Sequence, residues 1–284
     1  MYNIQTIAVL GAGAMGNGIA QVTAQAGYQV VMQDITEAAL QKGMNTIQKS
    51  LAKLVSREKM SQTEADELLA RITTTTDLQE AVKDADLIIE AIPEILELKL
   101  DTYKKLDQYC KPEAIFGSNT STLPITVLAA ATNRPEQVCG IHFMNPVPVM
   151  KGVEVIRARQ TSDAVMEATV QYIEKIGREA CQAVDYAGFI VSRILNVVQN
   201  EASRLVMDGN NPEDIDKAMK LCCNWPIGPC ALNDMVGIDI VVAGLGTLEA
   251  DLGPNYKASP LLKQMVRAGE LGRKSGKGYY TYKD

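Results

Sequence analysis

The chain contains one histidine, His142, and a glutamate that the predicted fold can bring beside it. His142 lies in the segment IHFMNPVPV, at the end of a predicted strand, and the prolines that follow force the chain to turn. The next predicted strand, GVEVI, can return Glu154 alongside the imidazole. Such a carboxylate would hold the ring in one tautomer and stabilise the imidazolium that forms when the histidine accepts a proton. The pair predicts a general base with its orienting partner, while a purely structural histidine in an apolar strand stays open on these residues alone.

A glycine-rich turn near the amino terminus has the spacing of a phosphate-binding loop. It follows the apolar run IAVL and consists of Gly11, Ala12, Gly13, Ala14, Met15 and Gly16. The glycines suit a tight turn, a close approach of backbone to a pyrophosphate, and close packing of the helix that follows. Asp34 ends the second predicted strand, where a carboxylate accepts a hydrogen bond from a ribose 2′-hydroxyl and repels a 2′-phosphate. No arginine flanks Asp34, so the pattern predicts NAD rather than NADP as cofactor.

A third group of polar residues, GSNTS, begins within the last two residues of the predicted strand AIFGS and continues beyond it. Its first hydroxyl, Ser118, would lie at the same edge of the sheet as His142 and could donate to a substrate oxygen. Ser, Asn and Thr also favour turns for local reasons, so an ordinary turn explains this segment equally well.

The elements that must position these residues alternate between short β-branched runs and helical patterns. The predicted strands are TIAVL, YQVVMQ, ITTTT, DLIIEAI, AIFGS, VCGIHF, GVEVIRA and the stretch 179–183. This alternation predicts an α/β domain over residues 1–185, a Rossmann-type doubly wound and mostly parallel sheet with helices on both faces. Residues 36–71 interrupt it with a helical pattern and a turn near 58–61, which predicts a protruding helical hairpin. Residues 186–284 show no strand pattern and predict an all-helical second domain.

Composition limits the classes of function. A formal charge of −6 argues against a general nucleic-acid binder, because such proteins neutralise phosphates with clustered Lys and Arg. We expect no membrane span, because no run approaches the roughly 18 consecutive apolar residues required. The first residues lead directly into a strand rather than a signal peptide, so we expect a cytoplasmic protein. Six cysteines without Cys-x-x-Cys spacing, and a single histidine, predict reduced thiols and no metal site.

Longer motifs in the chain resemble those of the L-3-hydroxyacyl-CoA dehydrogenases, most closely the short, single-function members that act on 3-hydroxybutyryl-CoA. The resemblance runs the whole length of the chain. It is carried by GAGAMGNGIA, DLIIEAIPEILELK, GSNTSTLPI, IHFMNPVPVMKGVEVI, GFIVSRIL, DIDKAMKL, WPIGP and GRKSGKGYY.

The resemblance implies NAD-dependent oxidation of the 3-hydroxyl of a short acyl-CoA and the reverse reduction, in butyrate or fatty-acid metabolism, by a homodimer or dimer-based oligomer. It implies that His142 is the catalytic base, that Glu154 is its partner and that Ser118 binds the reacting oxygen. Further cofactor contacts are implied at Glu94, Lys99, Asn145 and Lys274. The hairpin would cover the CoA moiety, with Ser50, Lys53 and Arg57 meeting its phosphates, although a solvated charged helix face explains these residues equally well.

One motif departs from the family pattern. The family usually reads GFIVNR, with the asparagine reaching the substrate, whereas this chain has Ser192 there, and Ala187 replaces the preceding proline. Serine keeps a hydrogen-bonding group but is shorter and lacks the amide. If a hydrogen bond to substrate is lost, we expect a deficit of about 1–3 kcal/mol, roughly ten- to a hundred-fold in rate. A dehydrogenase acting on a hydroxyacid without CoA, and an NAD-binding protein with impaired catalysis, are the alternatives.

Overall fold

The computed structural model of the chain describes residues 2–282. It forms two compact units, whose boundary in the sequence falls between Asp185 and Tyr186.

The first unit is built on a sheet of eight strands in the order β3-β2-β1-β4-β5-β6-β7-β8. Their bounds are β1 Thr6–Leu10, β2 Gln29–Gln33, β3 Ile72–Thr75, β4 Leu87–Glu90, β5 Ile115–Ser118, β6 Val138–Phe143, β7 Gly152–Arg157 and β8 Glu179–Val184. Neighbouring strands are parallel except for β6 and β7, which are antiparallel. Each strand lies where the sequence predicted one, and the predicted fold class is confirmed.

Helices connect these strands and cover the sheet. They are α1 Ala14–Gln25, α2 Glu37–Ser56, α3 Gln62–Ala70, α4 Leu78–Val82, α5 Leu96–Tyr109, α6 Ile125–Ala129 and α7 Asp163–Lys175. The strand order changes direction at β1, which has β2 on one side and β4 on the other. In open α/β sheets the ligand crevice lies at such a point, outside the carboxyl ends of the strands.

The predicted hairpin is formed by α2 and α3, and Ser61 begins α3 with a capping box shared with Glu64. The expectation that the hairpin protrudes is wrong. Leu40, Ile47 and Leu51 recur at helical spacing on α2, are at most 2% exposed, and belong to the hydrophobic core of the sheet domain. The hairpin therefore packs on the core through one face of α2 and presents its charged face to solvent.

The second unit is helical. It comprises α8 Val191–Met207, α9 Pro212–Cys222, α10 Pro229–Val236, α11 Ile238–Leu252 and α12 Pro260–Arg267. Two buried carboxylates order its loops: Asp216 accepts hydrogen bonds from the Cys230 and Ala231 N–H groups, and Asp234 accepts them from Tyr279 and Tyr280. Within residues 2–282, no single helix is long and apolar enough to cross a membrane. Only α10 and α11 taken together reach that length, and they are bent by 97°.

Candidate active site

The predicted acid–base pair forms through the pairing of β6 with β7. The antiparallel register sets His142 directly opposite Glu154, and the imidazole Nδ1 lies 2.7 Å from Oε2 of Glu154. Both side chains are buried, with relative exposures of 5% for His142 and 1% for Glu154. With Nδ1–H donated to the carboxylate, Nε2 presents its lone pair on the other side of the ring. This is the tautomer that a general base requires.

A serine that the sequence analysis did not single out lies beside that lone pair. Oγ of Ser121, in the loop that follows β5, is 3.0 Å from Nε2 of His142. The side-chain oxygen of Asn119, in the same loop, accepts a hydrogen bond from the Phe143 N–H at 2.9 Å and so ties the loop to β6. The segment GSNTS therefore contributes to the site through its third hydroxyl rather than its first.

The assignment of Ser118 to the reacting oxygen is corrected by its surroundings. Ser118 is the last residue of β5 and is fully buried, and its hydroxyl donates to Oε2 of Glu90 at 2.7 Å. Because its side chain faces the interior from within the strand, the hydroxyl is not available to a ligand. Ser121, beyond the end of the strand, reaches His142 instead. The spacing of Ser118 and Ser121 from the strand end was the signal that could have separated them.

Glu94 and Lys99, predicted to contact the cofactor, belong to a cluster of three charges. The Lys99 ammonium lies 2.6 Å from Oε1 of Glu90 and 3.2 Å from Oε2 of Glu94. Lys99 is 1% exposed, so its direct contact with a cofactor, expected from the sequence, is not supported. The Glu94 side chain is 39% exposed and forms the accessible end of the cluster. Glu90, fully buried at the end of β4, was missed because a lone glutamate closing an apolar strand carries no motif.

Glu94 also orders the loop that carries Ser121. Its Oε1 accepts hydrogen bonds from the Thr120 hydroxyl and from the Ser121 N–H, the latter at 3.0 Å. Burial raises the pKa of Glu94, but the Lys99 charge and these hydrogen bonds outweigh it and hold the pKa below its usual value. Glu94 is therefore an anion at neutral pH.

The glycine loop has the geometry that a dinucleotide requires. Gly11 has φ +96°, and a Cβ on Gly16 would lie 1.7 Å from the Gly11 carbonyl oxygen, so both positions need glycine. Gly13 precedes α1 and a Cβ there would meet nothing within 4 Å, which leaves the space over the helix N-terminus open to a pyrophosphate. Asp34 is half-buried directly after β2, and its Oδ2 accepts the Ala12 N–H at 2.8 Å. The residues of the first unit thus fit NAD.

The remaining predicted site residues lie in different places. Asn145 is exposed, two residues after the end of β6. Ser192 and Lys274 belong to the second unit. Ser192 is half-buried in the first turn of α8, and its carbonyl accepts the Asn196 amide at 2.7 Å. The Lys274 ammonium pairs with Asp239 at 2.6 Å.

The three hairpin residues predicted to meet CoA line a cavity of about 600 Å³ in the first unit. Ser50 and Lys53 lie on α2 and Arg57 directly follows it. Lys175, at the end of α7, and Arg178 also line the cavity, and the sequence analysis missed both. The Arg178 guanidinium donates to the Pro148 carbonyl at 3.2 Å and thereby holds the loop that follows His142. Four cationic side chains around one cavity have the charge that phosphate groups require. No group of side chains suited to hold a metal ion occurs within residues 2–282.

Known proteins are similar to this chain over both of its units. The NAD binding domain of 3-hydroxyacyl-CoA dehydrogenase matches residues 6–186, and the C-terminal domain of the same family matches residues 188–282. A probable 3-hydroxybutyryl-CoA dehydrogenase of Deinococcus radiodurans is 50% identical over 277 residues, which are 96% of this chain and 99% of that protein. The 3-hydroxybutyryl-CoA dehydrogenase of Clostridioides difficile is 42% identical over 97% of this chain and 99% of its own length.

Solved structures give the same result. The crystal structure of (S)-3-hydroxybutyryl-CoA dehydrogenase from Ralstonia eutropha superposes with a TM-score of 0.96 at 43% identity, and covers 99% of this chain and 100% of that one. The sequence identities, the matches to the two family domains and the shared fold all point to the same family over both units. The chain therefore belongs to the 3-hydroxyacyl-CoA dehydrogenase family.

Proposed function

We propose that the protein oxidises (S)-3-hydroxybutyryl-CoA to acetoacetyl-CoA with NAD+ and catalyses the reverse reduction with NADH. One observation carries the proposal: Nε2 of His142 faces a hydroxyl at 3.0 Å while its Nδ1 is held by a buried carboxylate at 2.7 Å. That arrangement is a base with its orienting group and a donor for the reacting oxygen. Oxidation of an alcohol by hydride transfer needs a group that accepts the hydroxyl proton, and the other two groups orient that base and bind the reacting oxygen.

In the proposed mechanism the substrate hydroxyl lies between Ser121 and Nε2 of His142. Bound NAD+ supplies the hydride acceptor for the C3 hydrogen. As the C3–H bond breaks, the hydroxyl proton moves to Nε2 and the C3–O bond becomes a carbonyl, so charge and atoms balance. Glu154 stabilises the imidazolium formed, and Ser121 keeps a hydrogen bond to the carbonyl oxygen. In the reverse direction the imidazolium returns the proton.

The cofactor would be held along the carboxyl ends of the central strands. Gly13 and the first turn of α1 would meet the pyrophosphate, and Asp34 would accept a ribose hydroxyl. Glu94 would contact the nicotinamide half through its exposed carboxylate, with Lys99 acting on the cofactor only through Glu94. Asn145 would contribute from the loop after β6. The contact predicted for Lys274 remains a prediction.

The cationic cavity of the first unit supports the assignment of a CoA ester as the substrate. The diphosphate and 3′-phosphate of CoA need cations, and the cavity lined by Lys53, Arg57, Lys175 and Arg178 offers four. Residues of this cavity also come from the loop that follows β6, because Pro148 lies six positions after His142. Six residues span at most about 20 Å. A pantetheine arm can therefore connect the cavity to the imidazole.

Ser192 bears on the turnover number of the enzyme. It stands where the family pattern has asparagine, and we propose that its shorter side chain lowers kcat without affecting cofactor binding. A Ser192→Asn variant should then raise kcat roughly ten- to a hundred-fold. An unchanged or lower kcat in that variant would show that serine serves this chain as well as asparagine.

We further propose that the protein acts in the cytoplasm as a homodimer. Ile194, Val197 and Leu205 expose apolar side chains on α8, and a second copy would cover them. Sedimentation equilibrium at micromolar concentration should give twice the chain mass. A monomer at that concentration would contradict the proposal.

The test of the proposed reaction is the His142→Gln variant. Without the base, reduction of acetoacetyl-CoA should fall by about 10²–10⁴-fold, while the Kd for NADH stays within about threefold. Loss of NADH absorbance at 340 nm with acetoacetyl-CoA gives the first quantity and NADH fluorescence titration the second. Near-normal turnover in the variant would remove His142 from the mechanism.

Two alternatives are separated by the substrate used. A dehydrogenase of a free hydroxyacid would reduce acetoacetate at least as fast as acetoacetyl-CoA. If the cationic cavity binds CoA, the rate with acetoacetyl-CoA should be much higher than the rate with acetoacetate. A protein with impaired catalysis would bind NADH without oxidising it at saturating acetoacetyl-CoA.

A further inference from the structure

A cluster of three charges, two of them buried, lies at the carboxyl end of β4, beneath the site already described. Glu90 is fully buried and Lys99 is 1% exposed, and only the carboxylate of Glu94 reaches the surface. The acid–base mechanism uses none of the three. Burying the Glu90 carboxylate and the Lys99 ammonium costs free energy unless the charges are paired and hydrogen-bonded, so the arrangement calls for a reason.

The hydrogen-bond partners of Glu90 indicate that its carboxylate is ionised. Its Oε1 accepts the Lys99 ammonium at 2.6 Å and the Ile92 N–H at 2.9 Å, and its Oε2 accepts the Ser118 hydroxyl at 2.7 Å. All three neighbours donate, which is the environment of an ionised carboxylate. Glu94 is also an anion, because its pKa is held below the usual value. The cluster therefore carries two negative charges and one positive charge, a net charge of −1.

The position of the cluster relates this charge to the cofactor. A dinucleotide lies across the carboxyl ends of the strands at the switch point, with one half on each side of β1. Asp34, after β2, marks the adenosine side, so the nicotinamide half lies over β4 and β5, toward His142 on β6. Glu90 ends β4 and Ser118 ends β5. The net negative charge thus lies under the half of the cofactor whose charge changes in the reaction.

We propose that Glu90 keeps this cluster net negative and thereby favours binding of NAD+, whose nicotinamide ring is a cation, relative to NADH, whose ring is neutral. Without Glu90, Lys99 would neutralise Glu94 and the preference would weaken. Glu90 is a positioning and electrostatic residue that touches neither substrate nor cofactor. The inference rests on the proposed function only through the cofactor that it uses.

The Glu90→Gln variant tests the proposal with little change in shape. The glutamine oxygen can accept from Lys99 and Ile92, and its amide can donate to the Ser118 hydroxyl, which also accepts hydrogen bonds. The readout is the ratio of the Kd values for NAD+ and NADH, measured by calorimetry and fluorescence without substrate. A unit charge at about 10 Å and an effective dielectric constant of about 20–40 predicts a 4- to 15-fold rise in Kd(NAD+)/Kd(NADH).

Two controls separate charge from packing. Asp86→Asn removes a carboxylate at the amino end of β4, where it is paired with Lys111. Asp86 precedes Glu90 by four residues, which is about 13 Å along the strand. This substitution should lower thermal stability and leave the ratio within twofold. The double variant Glu90→Gln/Lys99→Gln leaves Glu94 as the remaining charge of the cluster, again −1, and should return the ratio toward wild type.

Each outcome decides the matter. A folded Glu90→Gln protein with an unchanged ratio would overturn the inference while leaving the dehydrogenase assignment intact. Failure of the wild-type protein to bind NADH would instead overturn the proposed function. If Glu90→Gln does not fold, Glu94→Gln removes a unit charge of the same cluster nearer the nicotinamide ring and must raise the ratio at least as much. No rise in that variant would also reject the proposal.

Discussion

Two serines three positions apart should respond in opposite ways to the same substitution. The Ser121 hydroxyl is 3.0 Å from Nε2 of His142, whereas the Ser118 hydroxyl donates to the buried carboxylate of Glu90. Alanine removes one hydroxyl in either position and leaves the backbone unchanged. Ser121→Ala should therefore impair catalysis, and Ser118→Ala should impair folding.

The magnitudes follow from the partners. In the mechanism Ser121 donates to the reacting oxygen, and a hydrogen bond of this kind to a charged or partly charged group contributes about 1.5–3 kcal/mol. Its loss should lower kcat by about 10- to 150-fold. Ser118→Ala deprives a fully buried carboxylate oxygen of a donor, which costs about 1–3 kcal/mol of unfolding free energy. For a domain of about 150–250 residues, this loss of unfolding free energy lowers Tm by about 2–12 °C.

The assay is steady-state reduction of acetoacetyl-CoA with NADH, together with thermal unfolding of each variant. Ser121→Ala should keep the wild-type Tm within about 2 °C, and Ser118→Ala should keep kcat within about threefold at a temperature well below its Tm. The reasoning is refuted if Ser118→Ala lowers kcat as much as Ser121→Ala while its Tm is unchanged.

Three further predictions concern the cofactor, the CoA moiety and the thiols. Asp34→Asn removes the charge that repels a 2′-phosphate, so kcat/KM with NADPH relative to NADH should rise at least about tenfold; an unchanged ratio would place the discrimination elsewhere. Arg57→Gln and Lys175→Gln should each raise KM for acetoacetyl-CoA about 3- to 10-fold but leave KM for acetoacetyl-pantetheine unchanged, and an equal rise for both substrates would contradict phosphate binding in the cavity. Burial raises the pKa of Cys110 to about 12 and of Cys139 to about 11, so at pH 8 both remain neutral thiols. Iodoacetamide should then label only the exposed thiols of the native protein, which mass spectrometry can check. Labelled Cys139 in the native protein would contradict the prediction. The exposed thiols are Cys181, Cys222 and Cys223.

The sequence predicted those features that depend on local patterns. Short β-branched runs located the strands, and the strand after the proline turn was correctly expected to return Glu154 to His142. Where a side chain points at the end of a strand depends on one residue of register, and the sequence analysis therefore named Ser118 and missed Ser121.

Other parts of the site depend on tertiary contacts that no single segment reveals. The apolar stripe of α2 was visible in the sequence, but its burial against the sheet domain was not, so the hairpin was expected to protrude. Lys99 is hidden because Glu90, on another element, receives its ammonium. Arg178 reaches the cavity of Ser50 and Arg57 from a segment more than a hundred residues away.

The antiparallel pairing of β6 and β7 has a consequence for how this enzyme could be changed. His142 and Glu154 are cross-strand neighbours, so the backbone hydrogen bonds of the ladder set their separation, and the loop between them does not. Side-chain exchanges within residues 144–151 should accordingly leave the distance between His142 and Glu154 unchanged. A slip of one residue between the strands would instead turn Glu154 to the opposite face of the sheet. The acid–base pair is thus held by the pairing of two strands, and changes in the loop that joins them would alter its surroundings but not its geometry.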